Sequence, residues 1–429
     1  MRARQKQVAP DVPVPDNKPM QDGMAEPTRV FDFVIAGAGV AGLSLAASLK
    51  QALGRGVNIL VVDPVMGERE GRDRAFAVAP GSRRMLERIG AWDAISPHAQ
   101  PILQMAIMDG GVRDAVRPVQ MHFDGIDGEP LAHMAMNDDI VASLLSLCQD
   151  LGVACMRASV AGFALGRYSI EATIDGAAPV RARLLIAADG ARSPLRAAAE
   201  IPTVGWDYGQ SAIVATIAHE RDHHGRAEQH FLPAGPFAIL PLRGRRSSIV
   251  WNEPSEEAKM LVALEPAEFK RQLEYRFQHR LGEIAPVSRP RSFPLGFRIA
   301  RRFVGPRLAL IGDAAHLVHP LAGQGLNLGL RDVAALAQTV VEPMRLGLDP
   351  GAPDVLAAFE RARRFDVAAS GLGMDAMNRL FSNDIAPLRL MRDFGLRLVD
   401  RAPTLKRYFI EEAGGGRGDT PRLLRGLAI

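Results

Sequence analysis

Gly37-Ala38-Gly39-Val40-Ala41-Gly42 is a G-x-G-x-x-G run set between an apolar β-rich stretch, Phe31 to Ala36, and a helix-like stretch, Leu43 to Leu49. Gly37 permits a tight turn, Gly39 lets backbone approach a pyrophosphate, and Gly42 allows close helix–strand packing. The helix start adds free N–H groups and a positive dipole end. A second β-rich run, Asn58 to Val62, ends at Asp63. An acid about 20 residues past the glycines can accept hydrogen bonds from an adenosine ribose. These features imply a dinucleotide without separating FAD from NAD.

Two further acid–glycine turns follow apolar strand-like runs. Leu184 to Ala188 leads into Asp189-Gly190-Ala191-Arg192-Ser193-Pro194-Leu195-Arg196. Taken alone, that turn is equally a left-handed Gly190 with a Ser193 helix cap. Leu308 to Ile311 leads into Gly312-Asp313, and then to Gly323-Gln324-Gly325-Leu326-Asn327 at the start of a long apolar helix, Leu326 to Val341. Asp313 can bind a sugar-like hydroxyl chain. The bare backbone of Gly323, Gln324 and Gly325, with Asn327 in the first helical turn, can stabilise negative charge. A reduced flavin is anionic at its pyrimidine edge, so this third motif favours a flavin. His316 and His319 read better as hydrogen-bonding members of the loop than as acid–base groups, and no catalytic base can be named. His219, His223, His224 and His230 lack the acid or cysteine spacing of a metal site.

The trio GAGVAG, ADGARSPLR and ALIGDAAHLVHPLAGQGLNLGLRD resembles the single-component aromatic flavin monooxygenases, the fold group of para-hydroxybenzoate hydroxylase. Trp206-Asp207-Tyr208-Gly209-Gln210, His219 to Leu242 and Met377 to Leu396 narrow the resemblance to the ubiquinone-biosynthesis hydroxylases, over nearly all of residues 30 to 415. The resemblance implies that Arg74 meets the FAD pyrophosphate, that Asp313 binds the ribityl chain and that Gly323 to Asn327 contact the isoalloxazine. It sets Pro320 near the oxygen-reacting face. Many relatives have Glu at the place of Asp63, and often Glu-Asn where Asn137-Asp138 stands here. The implied activity is hydroxylation of a polyprenylated phenol or quinol with O2, through a flavin C4a-hydroperoxide, NAD(P)H being a transient donor. A hydroxylase of a soluble phenol, a same-fold reductase of isoprenoid double bonds and a flavin-bearing assembly subunit are the competing readings.

The motifs must meet at one cofactor, so the expected fold is α/β: a discontinuous Rossmann-like FAD-binding domain with an inserted, mainly antiparallel β-sheet substrate domain and C-terminal helices. The expected FAD-binding segments are 30–101, 137–200 and 295–345. The inserted segments are 102–136 and 201–294, with Phe269, Leu273 and Phe277 as packing residues of a helix. A helical region, 346–413, precedes a flexible tail, 414–429. Arg389, Arg392, Arg397 and Arg401 suggest an interfacial helix at lipid headgroups. Residues 1–29 hold charges and prolines but no apolar signal core, and read as a disordered extension or as the product of a misplaced start codon.

The 429 residues carry 52 Lys and Arg against 48 Asp and Glu, a net +4 with no basic cluster interleaved with aromatics, which argues against nucleic-acid binding. The two cysteines, Cys148 and Cys155, cannot form a disulfide framework and suit a reducing cytoplasm. Phe31 to Leu49 is long and apolar, but Asp32 and three glycines make it a βα unit, not a membrane span. Expected partners are the substrate and O2. The inner face of the cytoplasmic membrane, other ubiquinone-biosynthesis proteins and a second copy of the chain are further contacts left open.

Overall fold

The computed structural model describes residues 30–66, 74–110, 117–278, 280–318, 324–381, 407, 414 and 420–429. The expectations for residues 1–29, His319, Pro320, Gly323 and the arginines between 389 and 401 lie outside these residues, as does most of Met377 to Leu396.

The chain begins with β1 (Val30–Ala36), α1 (Val40–Leu53) and β2 (Ile59–Val62). All four residues of β2 are buried. A strand covered on both faces reads as a continuous aliphatic run rather than an alternating one. Next come β3 (Ala75–Val78), α2 (Pro80–Arg88), α3 (Trp92–Ile95), β4 (Gln100–Ile102), β5 (Gln104–Asp109), β6 (Val119–Asp124) and β7 (Ala132–Met136). Then α4 (Asn137–Asp150) leads to β8 (Ala154–Met156), β9 (Val160–Leu165), β10 (Ile170–Ile174) and β11 (Val180–Ala187). Asp138 and Asp139 in the first turn of α4 complement its dipole.

After α5 (Pro194–Ala198) come β12 (Thr203–His219), β13 (Arg226–Leu232), β14 (Gly235–Leu242) and β15 (Arg246–Pro254). Helices α6 (Ser255–Val262) and α7 (Pro266–Phe277) follow, then β16 (Ile284–Pro286) and β17 (Arg291–Ala300). The third motif spans β18 (Val304–Gly305), β19 (Leu308–Leu310), β20 (His316–Leu317) and α8 (Gln324–Arg345), and α9 (Pro353–Phe381) packs on α8.

The first sheet runs β18-β19-β11-β1-β2-β8, parallel from β19 to β8, with β10 and β9 added beside β11. The second runs β20-β17-β12-β15-β14-β13-β5-β6 and is antiparallel except at β13–β5. Its outer face is sealed by α6 and α7, whose Phe269, Leu273 and Phe277 bury against Trp251 and Phe237 as packing residues.

The structure corrects two expectations. β7 does not join the second sheet: it pairs with β3 and β4 in a separate three-stranded sheet. Ala77, Ile102 and Met134 there pack on Ala227 and Leu242 of the second sheet, so apolar contact sets this sheet against the second without hydrogen bonds between their strands among the described residues. The C-terminal residues from 420 onward do not form a loose tail. Leu423 and Leu424 are buried, and Arg84 Nε donates to Leu424 O at 3.1 Å, so apolar burial and a buried carbonyl anchor the chain end. Among the described residues, no helix is long and apolar enough to cross a membrane.

Candidate flavin site

The three motifs meet because their strands are neighbours. Ala36 pairs with Ala187, and Ala187 with Leu310. Backbone bonds continue past the strand ends: Ala188 N donates to Ala36 O at 2.8 Å and Ile311 N to Ala187 O at 3.0 Å. Gly37, Asp189 and Gly312 therefore line one carboxyl edge of a parallel sheet, the edge at which such sheets bind ligands.

At the first motif Gly37 has φ +112°, and a Cβ there would lie 2.2 Å from Ala188 O. A Cβ on Gly42 would lie 2.0 Å from Gly37 O, so both positions exclude any side chain. Gly39 caps α1 in extended conformation with no side-chain hydrogen bond, which leaves the first-turn N–H groups available to a ligand. Asp63 is 3% exposed, and its carboxylate already holds the turn: Oδ2 accepts from Ala38 N at 2.8 Å, and Oδ1 from Val65 N and Met66 N at 2.9 and 3.0 Å.

At the second motif Gly190 is left-handed and Ser193 Oγ accepts from Arg196 N at 2.9 Å, the capped turn that the residue types suggest. The Arg196 guanidinium donates to Ala191 O and to Ala314 O, each at 2.8 Å, and so ties the second motif to the third. Asp189 Oδ2 accepts from Leu195 N at 3.3 Å, whereas its buried Oδ1 has no partner. Burial pushes the Asp189 carboxyl up, against the pull of Ser193 and the Leu195 N–H.

The third motif rests on a buried ion cluster. Asp332 Oδ2 accepts from Gly312 N at 2.9 Å and pairs with His316 Nε2 at 2.6 Å, while Oδ1 accepts from Arg363 Nε at 2.7 Å. Arg363 also pairs with Asp366. Burial alone would raise the Asp332 carboxyl, but His316 and Arg363 hold it below the ordinary range. His316 is thus a loop-shaping residue. Asp332 and Arg363 carry no role in the motif reading, yet they fix its geometry. The available signal was a charged pair, Arg331-Asp332, inside the otherwise uncharged stretch from Leu326 to Val341.

Asp313 is open to solvent but closely ringed by protein; desolvation raises its carboxyl, with His316 and Arg74 acting in the opposite sense. Arg74 lies 4.7 Å from the Phe76 ring centre and 5.9 Å from that of Phe293. Asn327 is 2% exposed. Its Oδ1 accepts from Ala79 N at 2.9 Å and its Nδ2 donates to Ala77 O at 2.8 Å. That side chain clamps the segment after Arg74 to α8. Gln324 and Gly325 open α8 beside this clamp.

Of the remaining expectations, Asn137 Nδ2 donates only locally, to Asp138 Oδ1 at 3.3 Å. Trp206 Nε1 donates to Asp375 Oδ1 at 3.0 Å and fastens β12 to α9. His219 and His223 bond to backbone and to Ser247, and no metal-binding group of His, Cys, Asp and Glu occurs among the described residues.

Two side-chain-free glycines at a sheet edge, an uncapped helix start, an unpartnered Asp189 oxygen and an acid in an open recess fit a bound dinucleotide flavin. The fold and this edge define a flavoprotein of the aromatic-monooxygenase architecture. A family model described as FAD binding domain matches residues 30–368. The chain is 43% identical to the ubiquinone hydroxylase UbiL of Rhodospirillum rubrum, over 94% of each chain. It is 32% identical to the 3-demethoxyubiquinol 3-hydroxylase of Escherichia coli, over 91% of this chain and 99% of that one. Its fold matches p-nitrophenol 4-monooxygenase PnpA of Pseudomonas putida at a TM-score of 0.75 and 20% identity, over 91% of this chain and all of that one. The chain belongs to the FAD-dependent ubiquinone-biosynthesis hydroxylase family and is an FAD-dependent monooxygenase.

Proposed function

We propose that the chain hydroxylates the aromatic ring of a polyprenylated phenol or quinol on the route to ubiquinone, with NAD(P)H as electron donor and O2 as oxygen source. The 43% identity with a ubiquinone hydroxylase over 94% of both chains carries this reading. FAD supplies the redox chemistry and oxygen activation. On this reading the α1 N–H groups and Arg74 hold the pyrophosphate, Asp63 the adenosine ribose, and Asp313 the ribityl chain. Gly190 and Gly312 let backbone come close to the cofactor. The first turn of α8, at Gln324 and Gly325, presents its positive end to the anionic edge of the reduced ring. The family resemblance assigns Gly323 to the same ring contact and Pro320 to the oxygen-reacting face; both lie outside the described residues.

The first sheet, in this proposal, carries the cofactor, and the inner face of the second sheet covers the reacting ring and excludes water. An exposed apolar stripe on α9, Phe365, Leu372 and Leu380 at 80, 53 and 41% exposure, supports peripheral contact with the membrane in which such a substrate dissolves.

Purified, FAD-loaded protein should oxidise NAD(P)H faster with a prenylated phenol present, and should insert one atom from labelled dioxygen into the ring. Lipids of a deletion strain should contain a prenylated phenol lacking one hydroxyl. Normal ubiquinone in that strain, together with no oxygen insertion into any prenylated phenol, would remove the proposal.

A further inference from the structure

The second sheet has an inner face opposite α6 and α7. Ala212 on β12 pairs with Asn252 on β15 and with Phe293 on β17. Directly paired residues on neighbouring strands project to the same side. Phe293 is 40% exposed and packs under Arg74, whose charge in turn acts on Asp313. The row Phe293, Ala212, Asn252 therefore leads from the flavin edge across the inner face. One row along, Gln229 pairs with Ala238, Ala238 with Val250, and Val250 with Val214. Val250 and Asn252 lie two residues apart on one strand and share a face.

Asn252 is 3% exposed and Gln229 5% exposed. Asn252 Oδ1 and Gln229 Nε2 are buried with no hydrogen-bond partner. Of their neighbours on this face, Ala212, Val214, Ala238 and Val250 offer no side-chain polar group, and Gln210 gives its Nε2 to Ala234 O at 2.6 Å. A buried amide without a partner costs stability, so two on one ligand-side face call for a partner from outside the chain.

We infer that Asn252 and Gln229 read the oxygens of the substrate ring: Asn252 Oδ1 accepts the phenolic O–H, and Gln229 Nε2 donates to a neighbouring hydroxyl or methoxy oxygen. The inference deepens the hydroxylase reading and rests on it. A phenol donating to a neutral acceptor keeps its proton while gaining electron density in the ring, which favours attack by an electrophilic oxygen. Two contacts from strands on either side of β14 also fix the ring's rotation, and so choose which carbon meets the oxygen.

Asn252→Leu and Gln229→Met keep shape and remove the hydrogen-bonding atom. In FAD-loaded protein, each should weaken binding of a methoxyphenol carrying a short prenyl chain by about tenfold, read from the perturbed flavin absorbance. For Asn252→Leu, binding of the same compound with its hydroxyl methylated should not change. Both variants should melt at or above the wild-type temperature, because an unpaired buried amide has been replaced by an apolar group. Unchanged phenol affinity overturns the inference. A lowered melting temperature with parallel loss of affinity for both ligands assigns the amides to the fold and overturns it as well. If wild-type protein turns over the phenol and the variants match it, this inference alone falls. If wild-type protein neither binds nor oxidises any prenylated phenol, the hydroxylase reading falls with it.

Discussion

Asp332 and His316 meet at 2.6 Å inside the protein, where neither side chain is more than 1% exposed. The same carboxylate takes the Gly312 N–H and the Arg363 guanidinium. One acid thus joins the turn that presents Asp313, the helix that begins at Gln324 and the helix that carries Trp206's partner, Asp375. Removing one member of a buried ion cluster leaves the others uncompensated, which costs about 3–5 kcal/mol. Asp332→Asn and Arg363→Met should each lower unfolding free energy by that order and reduce the flavin-to-protein ratio on purification. Chemical denaturation and flavin absorbance read both effects; a variant with wild-type values for both would show that the cluster does not order the site.

The acid response follows from opposite shifts. Asp332 is held below the ordinary carboxylate range by His316 and Arg363 despite its burial. Its stabilisation is full above the unfolded value, about 4, and is lost as pH falls through the lower folded value. Asp189 and Asp313 are shifted upward by desolvation. Their contribution is largest below the unfolded value and fades as pH rises through the folded one, so at neutral pH each ionised acid opposes folding of the flavin-free protein. Asp313→Asn should therefore stabilise flavin-free protein relative to wild type more at pH 7 than at pH 4, while weakening FAD binding about tenfold or more. Thermal melts at the two pH values, with and without FAD, test the sign. Equal shifts at both would contradict it.

Gly37→Ala should abolish flavin binding, since its Cβ would sit 2.2 Å from the Ala188 carbonyl at φ +112°. That carbonyl belongs to the backbone that carries Asp189, so the clash cannot be relieved without moving the second motif. Gly56→Ala is the contrast: nothing lies within 4 Å of the added carbon. It should be neutral or stabilising by up to about 1 kcal/mol. Flavin stoichiometry and melting temperature of the two variants decide it; a Gly37→Ala protein that binds FAD fully would remove the close-approach argument.

Local signals explain what the sequence made legible. A strand, a glycine turn and a helix within a short window place Gly37 to Gly42 and Gly312 to Asp313 at strand ends, and parallel burial accounts for the aliphatic runs of β1, β2 and β11. The Asp332–Arg363 pair escaped because its partners come from different helices, and charge alone does not show direction. Asn327 was legible as a member of the motif but not as a clamp, since Ala77 and Ala79 lie some 250 residues earlier and offer only backbone. The separate sheet of β3, β4 and β7 escaped for a similar reason: short strands give few residues of alternation, and their partners are set by packing on Ala227 and Leu242.

The Asn327 clamp yields the sharpest separation of roles. If its side chain serves the cofactor ring directly, Asn327→Leu should reduce FAD affinity and leave the flavin-free protein intact. The observed bonds argue otherwise, because leucine would strand the buried Ala79 N–H and Ala77 C=O, each costing about 1–3 kcal/mol. Flavin-free Asn327→Leu should therefore be destabilised on its own, by about 2–4 kcal/mol after relaxation. Its FAD affinity should fall through displacement of the adjoining Arg74. Arg74→Met should lower FAD affinity without the stability loss, since Arg74 is exposed and its ring contacts are with Phe76 and Phe293. In the double variant the affinity losses should be less than additive, because both act at one contact. Full additivity of the two losses would show that Asn327 acts on the cofactor independently of Arg74.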